Sequence, residues 1–255
     1  METVQLTEWT SRECRDYLLG GGDLAFVPVA SVERLGPHLP LGGRLKLASV
    51  LADALARRHG GVCLPAVPFA TTLETDGTPG TISVEAQAAE RYLWEICEEL
   101  VTGGFRRVVY VGWQSELYYV VAEYFQQHDV SPSWIIPDRI RLPGVEDADV
   151  CRTALIAAAY RIDGNEAMVD EIARRSREGA GRTDVPEYLA RIREVGVLGY
   201  RNEIDEWTIS PVPEVPVDAA AAALTGWVDD LEDGLAALGE YNGAIARSRF
   251  DRGLR

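Results

Sequence analysis

Residues 24–44, near the N-terminus, read LAFVPVASVERLGPHLPLGGR and contain the most informative pattern of the chain. Residues 24–30 form a short apolar run between glycines and the polar Ser31, which predicts a buried strand. A loop rich in proline and glycine follows at residues 33–44. Apolar positions spaced three and four apart then predict a helix over residues 46–58. The stretch therefore predicts a strand–loop–helix unit with polar side chains just beyond a strand end.

The rest of the chain alternates strands and helices. Strands are predicted at 62–67, 107–112 and 133–137, and helices at 85–101, 116–127, 147–160 and 219–238. The strand 107–112 is continuously apolar, as in parallel sheets covered on both faces. The highly charged residues 163–187 favour an exposed loop or an insertion over a part of the core. The alternation predicts one α/β domain over residues 1–255, a three-layer α/β/α architecture with a mainly parallel sheet, and ligands at the carboxyl ends of the strands.

Composition excludes several classes of protein. A chain of 255 residues with 47% apolar content can bury one substantial core. The net charge of −15 argues against nucleic acid and anionic membrane as partners. No run approaches the roughly 18 apolar residues that a membrane span needs, and the polar N-terminus favours a cytoplasmic protein. The four cysteines are widely spaced, so neither a zinc ribbon nor a redox pair is predicted.

Residues 33–44, the motif loop, resemble the signature of the creatininase (creatinine amidohydrolase) family. That signature reads Glu-Gln-His-Gly-Pro-His-Leu-Pro-Leu-x-Thr-Asp. Residues 65–69, 79–83 and 196–199 resemble three further blocks of the family, so the resemblance covers most of the chain. It implies a creatininase-like fold and chemistry on cyclic amides and related C–N bonds. Because members of the family commonly form hexamers, it also implies a homo-oligomer, with a hexamer as the expected state.

The departures from the family pattern concentrate at its pair of divalent metals. In the first motif Glu33 is retained, but Leu35 stands at a ligand His and Arg44 at a ligand Asp. Beyond the strand 107–112, Gln114 stands at another ligand His, while Glu116 is retained. A pair of glutamates leaves most coordination positions to water. These departures from the family pattern therefore imply that no metal cofactor is bound. A weak metal site at Glu33 and Glu116 is the alternative.

Two more positions follow from the resemblance. Arg152 stands where the family has a Glu. In the family's Ser-x-Glu-His element the Glu is kept as Glu74, and Thr75 replaces the His. Glu74 could add a carboxylate to the site or simply form a turn.

The exchange of Asp for Arg at position 44 suggests what replaces the metals. Our hypothesis is that Arg44, with Arg152, pairs with Glu33 or Glu116, because a guanidinium matches a carboxylate in shape and charge. An opposite charge at ion-pair distance is worth about 4 kcal/mol at an effective dielectric constant near 20. The alternative is a solvated loop ion pair, which contributes little.

The predicted site has catalytic and binding residues. General acid and base roles are assigned to Glu33, Glu116 and His38. Two alternatives for His38 are a purely structural role and a role as a metal ligand. Substrate binding is assigned to Arg44, Trp113, Gln114, Glu74 and Arg152. For Trp113, which follows a strand end, the alternative is a place in the core.

Three functions are compatible with these residues. The first is a metal-independent creatininase-like enzyme that uses general acid–base chemistry on a small nitrogenous or carbonyl substrate. Its reaction would be cyclisation, dehydration, ring opening or hydrolysis, with specialised biosynthesis as the expected setting. The second is a non-catalytic relative that binds a small ligand or stabilises a partner. The third is a metal-dependent amidohydrolase with substituted ligands. A roomy cavity with converging polar groups would favour an enzyme over a filled structural relative.

Overall fold

A computed structural model describes residues 3–72, 75, 77–112, 133–135, 137, 140–179, 211–238, 240, 241 and 244. Over these ranges the helices are α1 Ser11–Leu19, α2 Gly43–His59, α3 Ala86–Thr102, α4 Ala148–Ile162, α5 Glu166–Gly179 and α6 Val217–Asp230. The strands are β1 Leu24–Val29, β2 Val62–Cys63, β3 Arg107–Gly112 and β4 Ser133–Ile135. The helix predicted at residues 116–127 lies outside the described residues.

The four strands form one parallel sheet in the order β2-β1-β3-β4. In its central pair Val29, the last residue of β1, lies opposite Gly112 at the end of β3. The polar residues that follow β1 therefore lie just beyond the carboxyl edge of the sheet. Strand β2 is shorter than predicted, but the chain pairs with β1 once more at Val67, which forms a parallel bridge with Val29.

Two apolar clusters cover the two faces of the sheet. Phe26 and Val109 face a cluster with buried residues of α2, α4 and α6. Val27 and Tyr110, one residue further along each strand, face a second cluster that includes Leu93 of α3. Successive side chains of a strand point to opposite faces, so the continuous apolar runs are buried on both sides. The arrangement confirms the predicted three-layer α/β/α class.

Helix α2 begins at Gly43, three residues earlier than the apolar periodicity predicted. A Cβ at position 43 would lie 3.0 Å from Ile156 of α4 and 3.1 Å from Leu35. Glycine at this position thus lets the first turn of α2 approach α4 and the motif loop closely.

One predicted loop was wrong. Residues 166–179 within the charged segment form helix α5, which buries Val169, Ile172 and Ser176. Their spacing places the three buried positions on one face of the helix. The many charged residues around them made this apolar periodicity too weak to predict a helix. The helix predicted over residues 219–238 is interrupted once: α6 ends at Asp230, a turn follows at Leu231, and residues 232–238 are again helical. Among the described helices none is both long and apolar enough to cross a bilayer.

Candidate functional site

The site begins where the chain leaves β1. The backbone N–H of Val32 donates to Pro68 at 3.1 Å, and its carbonyl accepts from Ile82 at 2.9 Å. The next N–H, of Glu33, donates to the carbonyl of Leu41 at 3.0 Å and so closes the motif loop on itself. These backbone bonds fix the direction in which the Glu33 side chain leaves the carboxyl edge of the sheet.

The Glu33 carboxylate is buried, with only 2% of the residue exposed. Its Oε1 accepts from Ser31 Oγ at 2.5 Å and from Arg44 Nη1 at 2.7 Å. Its Oε2 accepts from Thr75 Oγ1 at 3.0 Å. A buried carboxylate is strongly destabilising unless it is paired and hydrogen-bonded, and these contacts provide both kinds of compensation.

Arg44 lies in the first turn of α2, and 13% of its side chain is exposed. A positive charge is unfavourable at a helix N-terminus, so the adjacent carboxylate compensates the Arg44 charge there. The predicted pairing of Arg44 with Glu33 is present, and its burial distinguishes it from the solvated ion pair of the alternative interpretation.

The hydroxyl groups of Thr78 and Thr81 link Thr75 to the motif loop through hydrogen bonds. Thr78 Oγ1 donates to the Thr75 carbonyl at 2.6 Å and lies 2.9 Å from Thr81 Oγ1. Thr81 Oγ1 in turn accepts from the backbone N–H of Arg34 at 3.0 Å. The network ties the segment around Thr75 to the motif loop. Sequence reasoning assigned no role to Ser31 or Thr75, although the resemblance already marked Thr75 as a departure.

His38 is fully buried, and its Nε2 lies 3.0 Å from Thr153 Oγ1 on α4. Burial lowers the pKa of His38 to about 4, and the charge of Asp149 opposes that shift only in part. The imidazole is therefore neutral at pH 7. This position favours the structural interpretation, in which His38 anchors the motif loop on α4.

The described residues do not fit a pair of divalent metals. Leu35, at the position of a family ligand, is fully buried in the core cluster that also contains Ile156. Within the described ranges no three His, Cys, Asp or Glu side chains lie together as a metal site. The groups that contact Glu33 are N–H and O–H donors, and one of them carries a positive charge.

Arg152 lies on α4, next to the His38 partner Thr153. Its Nη1 lies 3.5 Å from Asp149 Oδ1, and its side chain lines a cavity of about 170 Å³ together with Arg141, Glu146 and Cys151. Four other predicted site residues, Glu74, Trp113, Gln114 and Glu116, lie outside the described residues, and their roles stay predictions.

Comparison with known proteins identifies the family. The sequence model described as creatinine amidohydrolase matches residues 7–137, half of the chain. The chain belongs to the creatininase family. A curated relative, the mycofactocin precursor peptide peptidase of Mycolicibacterium smegmatis, is 26% identical over 191 residues, which are 69% of this chain and 74% of the relative.

Solved creatininase structures share the fold. A manganese creatininase superposes with a TM-score of 0.66 at 17% identity, over 92% of this chain and 99% of that one. A creatinine amidohydrolase structure gives 0.62 at 20% identity with the same coverage. A putative creatinine amidohydrolase from Bacteroides fragilis gives 0.61 at 17% identity, over 96% and 97% of the two chains. At these identities the structures confirm the creatininase-like fold alone.

Proposed function

We propose that this creatininase-family chain is an enzyme that acts without a bound metal on a C–N bond of a small nitrogenous or carbonyl substrate. The observation that carries the proposal is the buried ion pair between Arg44 and Glu33, 2.7 Å apart at the carboxyl edge of the sheet. In open α/β sheets this edge is where ligands bind.

The charge at the site supports metal independence. The resemblance puts a metal-binding carboxylate at position 44, and this chain has a guanidinium there, which changes the local charge by two units. A guanidinium is permanently protonated and cannot act as a metal ligand. The positive charge that relatives obtain from inorganic ions is supplied in this proposal by Arg44.

The residues then have distinct roles. Arg44 provides positive charge to stabilise a substrate carbonyl or the oxyanion formed from it. Glu33 holds Arg44 in place through the contact at Oε1. Because His38 is buried and neutral, general acid–base chemistry is assigned chiefly to Glu116, which remains a prediction.

The reaction class comes from relatives. The family description names an amidohydrolase, and the curated relative is named as a peptidase of a precursor peptide. Both names describe cleavage of an amide C–N bond. Hydrolysis or ring opening of an amide is therefore the first reaction to test, before dehydration or cyclisation.

The test is a substrate screen with metal control. Purified protein is incubated with cyclic amides and short peptides, with and without EDTA, and products are followed by mass spectrometry. We expect turnover that survives EDTA and is lost in Arg44→Leu and Glu116→Gln. The matched control is Arg12→Leu, which removes an arginine with an 82% exposed side chain. Turnover that EDTA abolishes and zinc or manganese restores would refute metal independence.

A second candidate function is a non-catalytic ligand-binding relative. The observation in its favour is the filled interior near the motif: Leu35 lies in the core and Glu33 is 2% exposed. If the same screen yields thermal stabilisation by a ligand without any product, this function replaces the enzyme. The expected homo-oligomer can be measured on the same samples by light scattering.

A further inference from the structure

We infer that Ser31, Glu33 and Thr75 form a socket specific for a guanidinium ion, in which Arg44 is the resident cation and Ser31 and Thr75 are positioning residues. The inference deepens the proposed function and rests on it, because it states which chemistry stands in place of the metal.

The socket is built from separate parts of the chain. Ser31 and Glu33 follow β1, Thr75 comes from the segment after β2, and Arg44 enters from α2. The three socket residues are at most 2% exposed. A single cation contact thus joins the strand end to the helix, as a metal ion joins its ligands.

Ser31 and Thr75 set the orientation of the carboxylate. Ser31 Oγ binds Oε1 and Thr75 Oγ1 binds Oε2, so both oxygens are held from the protein side. With the carboxylate fixed, Oε1 meets Arg44 Nη1 at 2.7 Å. Loss of either hydroxyl lets the carboxylate rotate and weakens the contact with the cation.

The chemistry favours guanidinium over other cations. A guanidinium is planar and weakly hydrated, so it loses less on burial than a compact, strongly hydrated ammonium ion. A divalent metal requires several oxygen, nitrogen or sulfur ligands. Among the described residues the socket supplies one carboxylate, and the two hydroxyls already donate to it.

Chemical rescue tests the inference. Arg44→Ala leaves the socket without its cation. Its melting temperature is measured with millimolar guanidinium chloride, methylammonium chloride, zinc chloride or sodium chloride at equal ionic strength. At ten times its dissociation constant, a ligand that binds only the folded state shifts the folding equilibrium about elevenfold, a rise of roughly 3–6 °C. We expect this rise with guanidinium only. The wild-type protein, whose socket is filled, should show no rise.

A second pair of variants tests the positioning role of Thr75. In the Arg44→Ala background, Thr75→Val should abolish the rescue and Thr75→Ser should retain it. Thr225→Val, which removes an exposed hydroxyl on α6, is the control and should leave the rescue unchanged. If Arg44→Ala does not fold, the yield of native protein on refolding from urea with each cation gives the same comparison.

The outcomes are separable from those of the proposed function. Equal stabilisation by methylammonium, or an undiminished rescue in Thr75→Val, would overturn the guanidinium socket. Stabilisation of Arg44→Ala by zinc in place of guanidinium would overturn it as well. The metal independence of the enzyme is tested separately, by turnover of the wild-type protein in EDTA.

Discussion

Replacing Arg44 with leucine leaves the Glu33 carboxylate buried beside an apolar side chain. At 2.7 Å the two charges attract by about 6 kcal/mol at an effective dielectric constant of 20. Measured losses on removing one partner of a buried pair are about 3–5 kcal/mol, because the remaining charge stays uncompensated. For a chain of this size such a loss lowers the melting temperature by roughly 6–20 °C.

The assay is urea unfolding of four proteins: wild type, Arg44→Leu, Glu33→Gln and the double variant. The double variant should be more stable than the two single losses predict, because neither charge is then left alone. The matched control is the exposed pair Arg91–Glu95, whose side chains are 77% and 52% exposed; Arg91→Leu there should cost less than about 1 kcal/mol. If Arg44→Leu lowers the free energy of unfolding by no more than Arg91→Leu does, Arg44 and Glu33 do not form a stabilising buried pair.

Three further predictions follow from neighbouring contacts. The pKa of His38 is about 4 in the folded state, below the unfolded value near 6.5. The contribution of the neutral imidazole to stability is therefore present above pH 6.5 and decreases as the pH falls. Between pH 7 and pH 5, urea unfolding should show that the wild type loses about 2 kcal/mol more free energy of unfolding than His38→Gln. Leu35→His should destabilise by about 2–5 kcal/mol, as for a lost core leucine, whereas Leu35→Met should lose less than about 1.5 kcal/mol, and added zinc should not restore the melting temperature of Leu35→His. Gly112→Ala should cost about 1–3 kcal/mol, because its Cβ would lie 2.8 Å from Trp134, and thermal unfolding should show that Trp134→Phe in the same chain recovers part of the loss.

The sequence predicted those parts of the fold and site that depend on local pattern or on one decisive charge. Residues 24–30 and 107–112 were recognised as strands because their apolar runs are continuous, and both lie in the centre of the sheet. The contact between Glu33 and Arg44 was predicted because an arginine stood where the resemblance implied an acid.

Contacts between distant parts of the chain were not predictable in the same way. Thr75 lies 42 residues from Glu33, and nothing in local spacing connects a loop threonine to that carboxylate. The partner of His38 is Thr153, 115 residues away on a helix recognised only by its apolar pattern. Helix α5 was missed because charged residues outnumber the three buried positions that define its inner face.

We propose that the Arg44 guanidinium takes the place of inorganic cations beside Glu33. The most direct test is a crystal structure of protein purified with added zinc and manganese, with anomalous data collected at both absorption edges. We expect Arg44 Nη1 within hydrogen-bonding distance of Glu33 Oε1 and no anomalous peak at that carboxylate. Two anomalous peaks within coordination distance of Glu33, with Arg44 turned away, would contradict it.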